Sequence, residues 1–507
     1  MSQQTVDKTG NLPNPAEMAK TYAEVAQRAS RLITQFVEKK SREGVSAPSD
    51  DLGVAQAFQD LSARLLADPF KLAQTQMSMM WDYFSLWQNT TAKILGMPVA
   101  APVATPKKGD NRFRDEEWEQ HFLFDFIKQS YLITARHLHE TVAGAEGLDE
   151  STQLKVNFFT RQYIDALSPS NFALTNPEVF RETVKSHGQN LIKGLNNLLH
   201  DVEAGDGELR IRMTDTSAFE MGKNVATTPG KVVFQNELFQ LIQYDPATPD
   251  QYKRPFLIVP PWINKYYILD LREKNSMVKW ATDQGRTTFI MSWINPDEKL
   301  AEKSFEDYLL SGSMEAISQV CAQTGEDSVD MAGYCLGGTL VMTTLAYMAA
   351  KKDKRGNSGT FFTTMLDFSE PGELRVFLDE ATVAGLEKKM FERGYHEGSQ
   401  MAGTFNMLRA NDLIWSFVVN NYLLGKDPFP FDLLFWNSDS TRMPAAMHSY
   451  YLRNMYLANN LVKPGGITLG GVKIDLRKVK VPCYFVSTVE DHIAPWKSTY
   501  MGACLPT

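Results

Sequence analysis

The stretch SVDMAGYCLGGTLVMTTLAYMAA, residues 328–350, decides the fold of this 507-residue chain. It begins with a short strand-like run, continues through the pentapeptide GYCLG (333–337), and ends in an apolar helical run. This order is typical of a nucleophile elbow, a sharp strand-to-helix turn that exposes the nucleophile, here with cysteine in place of serine. We therefore predict that Cys335 is a nucleophile. The alternative is a buried structural cysteine that lies between glycines.

The residues around a nucleophile of this kind have expected places in the chain. The helix after Cys335 should direct its N-terminus at the sulfur, which favours the thiolate over the thiol. The backbone N–H of Leu336 is one candidate oxyanion donor. The backbone N–H of Ile263, in LIVPPWINKYYILDL (257–271), is the second, although this segment is also compatible with a Pro-Pro loop end and aromatic packing. The acid should follow a late strand, which favours Asp491, with Glu490 as the fallback.

The segments on both sides of the elbow alternate between strand and helix patterns. FLIVPPW (256–262) and TTFIMSWI (287–294) are nearly continuous apolar runs, typical of strands buried on both faces. The alternation predicts an α/β fold with a mainly parallel sheet and right-handed crossovers. Residues from about 370 to 455 are largely helical and aromatic, so we predict a helical cap inserted between two sheet strands. The sheet pattern resumes in VKVPCYFVSTVED (479–491).

The residues before the sheet are predicted to be mainly helical. Apolar spacing indicates one helix over 14–40 and a second helical region over 51–95, and the Pro- and Ala-rich segment 97–111 is typical of a linker. In MSMMWDYFSLW (77–87), core packing is the favoured explanation of the apolar residues, and an adaptable docking surface is the alternative. The expected domains are 1–111, helical with a linker; 112–230, mainly helical; and 231–507, the α/β catalytic domain.

Composition narrows the classes of function. The formal net charge of −8 argues against a dominant role in nucleic-acid binding. The four cysteines have no metal-ligand spacing, so we expect a reducing compartment and no metal. The N-terminus lacks the apolar region of a secretory signal, and no apolar run approaches the roughly 18 residues that a transmembrane segment requires. We therefore expect a cytoplasmic protein without a transmembrane segment.

Several longer segments carry a family resemblance that covers residues 112–502. They are FDFIKQSYLITARHL, NELFQLIQYDPAT, VPPWINKYYILDL, GYCLGGTL, LLFWNSD, MHSYYLRNMYLANN and VSTVEDHIAPWKSTYMGA. They resemble the class I polyhydroxyalkanoate synthases, the poly(3-hydroxybutyrate) polymerases. The resemblance implies an α/β-hydrolase fold with a cap, and an acyltransferase that joins (R)-3-hydroxyacyl-CoA monomers, here expected to be 3-hydroxybutyryl-CoA, into a polyester. Coenzyme A arrives as part of the substrate, so no other cofactor is implied.

The resemblance also implies roles for individual residues and partners. Cys335 matches the nucleophile that carries the acyl group, and Asp491 matches the catalytic aspartate. Trp436 falls in the cap motif FWNSD, near the site or at a dimer contact. The resemblance further implies a homodimer at the surface of polyhydroxyalkanoate granules in the cytoplasm, with granule contacts through residues 1 to about 100. Transfer of an acyl group from the CoA sulfur to the cysteine sulfur is close to thermoneutral, which suits a thiol nucleophile.

The expected histidine base is the departure from the family pattern. The order Cys, Asp, His places this histidine roughly 25–30 residues beyond Asp491, whereas 16 residues follow Asp491. We therefore expect a C-terminal truncation that impairs activity. His448 and His492 are the candidate replacements. Two other functions stay open: a cysteine thioesterase or depolymerase, and a catalytically impaired synthase that acts only as a granule-associated protein.

Overall fold

The computed structural model describes residues 27–28, 30–32, 34, 50 and 52–506. Most of the helix predicted over residues 14–40 therefore lies outside the described residues. The described chain divides into two compact units. The first is built mainly from Val54–Met213 and Arg409–Phe429, and the second mainly from Thr214–Leu408 and the residues from Pro430 onward. The domain limits predicted at residues 111 and 230 stay predictions.

Helices form the first unit. They span Val54–Ala67, Pro69–Ile94, Glu117–Gln120, Phe122–Ala143, Glu150–Ala166, Pro177–Lys185 and Gln189–Ala204, and Asn411–Trp415 and Val418–Leu423 are π-helical. Short polar side chains begin several of these helices, because they can accept the first backbone N–H groups. Asp68, Asp149 and Asn176 do so at three N-termini. Across the described residues, none of the helices combines the length and apolar composition that a membrane crossing requires.

The helix Pro69–Ile94 buries one face and exposes another. Leu86 is fully buried and packs in a cluster with Ile133 of the helix Phe122–Ala143. Five apolar side chains on the helix are 47% to 64% exposed: Met77, Met80, Trp81, Phe84 and Trp87. We call these five residues the apolar stripe. The core packing predicted for them is wrong, because the helix turns the face with Leu86 toward its neighbour.

A seven-stranded sheet forms the centre of the second unit. Its strands are β1 (Gly230–Gln235), β2 (Phe239–Tyr244), β3 (Tyr252–Val259), β4 (Arg286–Trp293), β5 (Val329–Tyr334), β6 (Gly356–Phe362) and β7 (Cys483–Val486). Their order across the sheet is β1-β2-β4-β3-β5-β6-β7. Five neighbouring strands run parallel, in the order β4, β3, β5, β6 and β7. At the β4 edge, β2 pairs antiparallel with β4, and β1 pairs antiparallel with β2. The mainly parallel sheet is confirmed.

Helices cover this sheet and fill the long connection before its last strand. They span Met277–Asp283, Phe305–Asp307, Glu315–Thr324, Leu336–Lys351, Glu380–Arg393, Gly398–Leu408, Asp432–Ser438, Ala445–Tyr451 and Trp496–Ala503, with π-helical segments at Tyr308–Met314 and Leu452–Leu457. Two-residue strands pair Tyr395–His396 with Met443–Pro444, and Thr468–Leu469 with Val472–Lys473. The helix Leu336–Lys351 is buried along most of its length, as expected for a helix that follows an inner strand of the sheet.

The predicted strands agree with the observed ones except at their ends. The apolar run predicted over 256–262 forms β3 only as far as Val259, because Pro260 and Pro261 have no N–H to donate to a neighbouring strand. Strands β6 and β7 pair directly although more than a hundred residues separate them, and this long insertion is largely helical. The parallel sheet, the central strand–turn–helix and the helical insertion confirm the α/β-hydrolase fold with a preceding helical region.

Candidate active site

The elbow holds Cys335 at the carboxyl edge of the sheet. Strand β5 ends at Tyr334 and the next helix begins at Leu336, which leaves Cys335 alone in the turn, with φ 53° and ψ −121°. A positive φ is strained for a residue that has a side chain, and such strain is concentrated at functional sites. The N–H of Cys335 donates to the carbonyl of Phe362 at 3.0 Å, so the turn stays attached to β6. The predicted strand–elbow–helix is confirmed.

Two glycines let the backbone turn this sharply. A Cβ on Gly337 would lie 2.0 Å from the carbonyl oxygen of Val259, and a Cβ on Gly333 would lie 2.3 Å from the Cα of Gly338. Both contacts are with backbone atoms, which cannot rotate away as a side chain would. The helix after Cys335 can therefore start against the end of β3 only because these positions carry no side chain.

A cavity of about 330 Å³ opens at the elbow. Trp262, Ile263, Cys335 and Leu336 line it on the side of the sheet. The opposite walls are mostly apolar and include Leu374, Phe377, Val383, Leu386, Phe405 and Leu452. Because a few polar groups in an apolar cavity are typical of small-molecule sites, this arrangement can enclose an acyl group next to the thiol.

The Cys335 thiol is held in its protonated form. Burial raises its pKa to about 11, and the negative charge of Asp491 acts in the same direction. The backbone N–H of Leu336 hydrogen-bonds to the sulfur and lowers the pKa, but by less than burial raises it. The N-terminus of the helix thus acts in the predicted direction, toward the thiolate, but desolvation of the sulfur outweighs it. The chemistry of this thiol needs a proton acceptor.

The rate at which iodoacetamide alkylates Cys335 should rise steeply with pH. Only the thiolate attacks, and below a pKa of about 11 the thiolate fraction grows about tenfold for each pH unit. We expect this slope between pH 7 and pH 10, measured by mass spectrometry of the Cys335 peptide at successive times. The exposed Cys504 is followed in the same digests for comparison. An alkylation rate for Cys335 that is constant above pH 8 would contradict the raised pKa.

Asp491 follows β7 and reaches the surroundings of the thiol. Its carboxylate accepts the backbone N–H groups of Ile493 and Ala494, each at 2.9 Å. Burial is the main cause that raises the pKa of Cys335 and of Tyr334, and the charge of Asp491 adds to it in both, so the carboxylate lies within electrostatic range of the elbow. Glu490, the fallback acid, is exposed to solvent. The structure thus brings Asp491, and not Glu490, toward the nucleophile.

The loop after β3 is fixed beside the cavity by Thr441. The Thr441 hydroxyl donates to the carbonyl of Trp262, and its backbone N–H donates to the carbonyl of Ile263 at 2.9 Å. In a trans peptide the carbonyl oxygen and the amide hydrogen point to opposite sides. The N–H of Ile263 shares its peptide with the Trp262 carbonyl, so this N–H points away from Thr441. The Ile263 side chain lines the cavity, where a second oxyanion donor is expected.

His448 lines the same cavity together with a histidine that the sequence did not indicate, His396. Each is 5% exposed, and the two rings stack with their centroids 5.0 Å apart and an angle of 8° between their planes. Burial lowers the pKa of His396 to about 4 and the pKa of His448 well below its usual range, so both imidazoles are neutral at pH 7. Nδ1 of His396 and Nε2 of His448 have no hydrogen-bond partner among the described residues. A buried polar atom without a partner costs about 1–3 kcal/mol.

The described part of the chain contains no cluster of three or more His, Cys, Asp or Glu side chains that could hold a metal ion. The groups that the cavity offers include a thiol and two neutral imidazoles, and a carboxylate lies nearby. This set can support acyl transfer through a covalent acyl-cysteine.

Known proteins are similar to this chain over most of its length. A family profile described as the N-terminus of poly-beta-hydroxybutyrate polymerase (PhaC) matches residues 109–281. The poly(3-hydroxyalkanoate) polymerase of Methylorubrum extorquens is 47% identical over 506 residues, which cover 97% of this chain and 83% of the relative. The PhaC subunit of the poly(3-hydroxyalkanoate) polymerase of Cupriavidus necator is 41% identical, over 88% of this chain and 74% of the relative. This chain belongs to the poly(3-hydroxyalkanoate) polymerase family.

Solved structures match at lower similarity. A soluble variant of monoglyceride lipase from Saccharomyces cerevisiae is 11% identical, with a TM-score of 0.37, and the match covers 57% of this chain and 86% of that structure.

Trp436 lies outside the cavity of this poly(3-hydroxyalkanoate) polymerase family member. It is half-buried in the helix Asp432–Ser438, and its indole N–H donates to the carbonyl of Lys265 at 2.7 Å. It thus anchors the chain two residues beyond Ile263. His492, the other candidate base, does not line the cavity, although the next residue, Ile493, does.

Two tyrosines that the sequence did not single out also line the cavity of this family member. The Tyr451 hydroxyl donates to the Thr339 hydroxyl at 3.3 Å. Tyr456 lies in the π-helical segment Leu452–Leu457, and burial raises the pKa of both tyrosines. Both side chains line the cavity that contains Cys335. Both tyrosines belong to MHSYYLRNMYLANN, one of the segments that resemble the family. This resemblance could have indicated them from the sequence.

Proposed function

We propose that this chain polymerises (R)-3-hydroxyacyl-CoA, with 3-hydroxybutyryl-CoA as the expected monomer, and releases CoA. The observation that carries the proposal is Cys335, held in a strained elbow inside a mostly apolar cavity. Its relatives are named poly(3-hydroxyalkanoate) polymerases, and the polyester is the product their name states. The similarity to class I synthases supports monomers with short side chains.

In the first half-reaction, Sγ of Cys335 attacks the carbonyl carbon of the thioester. A new C–S bond to Cys335 forms, the C–S bond to CoA breaks, and the thiol proton ends on the CoA sulfur. One thioester replaces another, so little free energy is lost at this step. The backbone N–H groups of Leu336 and Ile263 are the proposed donors to the oxyanion that forms on the carbonyl oxygen.

In the second half-reaction, the hydroxyl oxygen of another hydroxyacyl unit attacks the acyl-cysteine. A C–O ester bond forms, the C–S bond to Cys335 breaks, and the hydroxyl proton ends on the cysteine sulfur. The thiol is then ready for the next monomer. Asp491 is the proposed catalytic aspartate, and the support for this role is its charge acting on Cys335. Proton transfer from the thiol requires a base, as its raised pKa indicates. The weakly acidic hydroxyl of the second step requires a base too.

The product assay tests this function. The purified chain is incubated with (R)-3-hydroxybutyryl-CoA, CoA is measured as free thiol, and insoluble polyester is collected and quantified after methanolysis. We expect many CoA molecules per chain and an equal amount of monomer in the polyester, in contrast to the impaired activity that the missing histidine predicted. A Cys504→Ala variant, at an exposed cysteine, should behave as the wild type does. Free 3-hydroxybutyrate without polyester would indicate a thioesterase, and at most one CoA per chain would exclude polymerisation; either result contradicts the proposal.

We further propose that the chain works as a homodimer on the surface of polyester granules in the cytoplasm. The family resemblance supports both statements, and the apolar stripe on the helix Pro69–Ile94 supports the granule contact, because an insoluble polyester presents an apolar surface. Sedimentation velocity of the active protein should show a species of twice the chain mass.

Removing two rings of the apolar stripe should weaken granule binding without lowering CoA release. The variant Trp81→Ser with Phe84→Ser loses two exposed aromatic side chains, each worth about 1–2 kcal/mol of buried apolar surface. We expect at least a several-fold smaller fraction of protein to sediment with poly(3-hydroxybutyrate) granules. Trp280→Ser, at a tryptophan that is 60% exposed on the second unit, is the matched control. Equal sedimentation of all three proteins would rule out the stripe as the contact.

A further inference from the structure

The stacked histidine pair is a polar feature of the cavity that the mechanism above does not use. His396 belongs to a two-residue strand in which it pairs with Met443, and His448 lies five residues further on, in the helix Ala445–Tyr451. The short ladder therefore sets the position of one ring against the other. The ladder fixes His396, and the short chain from Met443 to His448 places the second ring beside it.

The pair offers hydrogen bonds that the protein itself does not take. Nδ1 of His396 and Nε2 of His448 are buried and unpartnered among the described residues, and both side chains line the cavity that contains Cys335. Buried polar atoms in native proteins are rarely left unpartnered, so each exception calls for an explanation. A ligand that enters the cavity and carries a matching polar group would explain the two unpartnered nitrogen atoms.

The chemistry of the histidine pair itself favours a neutral group. Both imidazoles are uncharged at neutral pH, since burial holds their pKa values low. A neutral imidazole presents one N–H donor and one acceptor nitrogen, which match a hydroxyl and give no charge to attract a phosphate or a carboxylate. Leu374, Val383 and Leu386 are among the apolar residues that surround the rest of the space. The fitting ligand is a short aliphatic acyl group that bears a hydroxyl.

We propose that His396 and His448 bind the 3-hydroxyl of the acyl substrate and thereby select 3-hydroxyacyl thioesters over unsubstituted acyl thioesters. The inference rests on the proposed function and adds the residues that determine its substrate specificity. An acyl group without the hydroxyl would leave both imidazoles unpartnered, and sites built to bind a hydroxyl discriminate strongly against analogues that lack it. The pair acts by positioning the substrate. No hydrogen bond joins either imidazole to Cys335 in the described chain, so this role differs from that of a base on the thiol.

A comparison of two thioesters in the first turnover tests the proposal. The purified protein is mixed with (R)-3-hydroxybutyryl-CoA or with butyryl-CoA, and acylation of Cys335 is followed by CoA release and by the mass of the Cys335 peptide. The wild type should acylate on the order of 10- to 100-fold faster with the hydroxylated thioester. In His448→Phe this ratio should fall to within a few-fold, because the hydroxyl loses its partner while the butyryl group does not.

Further variants separate binding from a merely structural role. His448→Gln restores a neutral hydrogen-bonding group and should recover part of the ratio, which a packing role would not produce. His200→Phe replaces a histidine whose side chain is 53% exposed and should leave the ratio unchanged. If His448→Phe fails to fold, His396→Leu removes the other ring and should lower the ratio in the same way.

The outcomes distinguish this inference from the proposed function. A wild-type ratio near one overturns the inference without any variant. A wild-type preference that His448→Phe and His396→Leu both retain also overturns it, while acylation of Cys335 and the proposed function stand. If the wild type acylates Cys335 with neither thioester, the proposed function itself fails and the specificity role fails with it.

Discussion

Cys335→Ala should abolish the release of CoA from (R)-3-hydroxybutyryl-CoA. Alanine keeps the Cβ and removes only the sulfur, so the elbow and its hydrogen bond to Phe362 should persist. The loss should be on the order of 10⁴-fold or more, the size expected when a covalent nucleophile is removed. The assay follows free thiol over time, and near-ultraviolet circular dichroism compares the folds. Residual release above about a hundredth of the wild-type rate would place the reacting group elsewhere.

Cys335→Ser separates the need for a nucleophile from the need for sulfur. The serine hydroxyl is far less acidic than the thiol and has no better base, so we expect acylation to be slower by on the order of 10³-fold or more. Any acyl-serine that forms is an ester and lies in a deeper energy well than the thioester, so it should accumulate as a stable adduct in the mass spectrum. Rapid turnover by the serine variant would contradict the idea that a thioester substrate explains the cysteine.

The elements that the sequence predicted well are those whose signal is local. Strands β3 and β4 are short apolar runs, and the elbow is a contiguous pentapeptide between a strand and a helix. The end of β3 was misplaced by a few residues because the apolar pattern continues through Pro260 and Pro261, whereas strand pairing stops where N–H groups are missing. The hydrophobic pattern reports burial, but it does not report which backbone groups are paired.

The features that the sequence did not reveal depend on contacts between distant segments. His396 meets His448 through a two-residue ladder that joins chain positions about fifty residues apart, and such a ladder has no periodic signal. Whether the apolar stripe is exposed depends on which face of its helix packs against a neighbouring helix. The pKa of Cys335 is set by burial, by one N–H group and by the charge of Asp491, which are properties of the packed cavity.

Gly337→Ala should destabilise the second unit strongly. The added Cβ would lie 2.0 Å from the carbonyl oxygen of Val259 and 2.8 Å from the carbonyl carbon of Pro260, both backbone atoms at the end of β3. Neither can move without displacing the strand or the helix that begins after Cys335. We expect a loss of roughly 3 kcal/mol or more in the free energy of unfolding, seen as a lower Tm or as insoluble protein, together with loss of CoA release.

Gly403→Ala is the matched control for this effect. Gly403 also lies in a helix, Gly398–Leu408, but a Cβ there would meet no atom within 4 Å. Alanine should therefore stabilise that helix by about 0.5–1 kcal/mol, the ordinary gain in a helix interior. The two substitutions add the same methyl group and should shift Tm in opposite directions. Equal shifts would show that the helix after Cys335 does not press against β3. Close backbone contact would then fail to explain the glycine in the elbow.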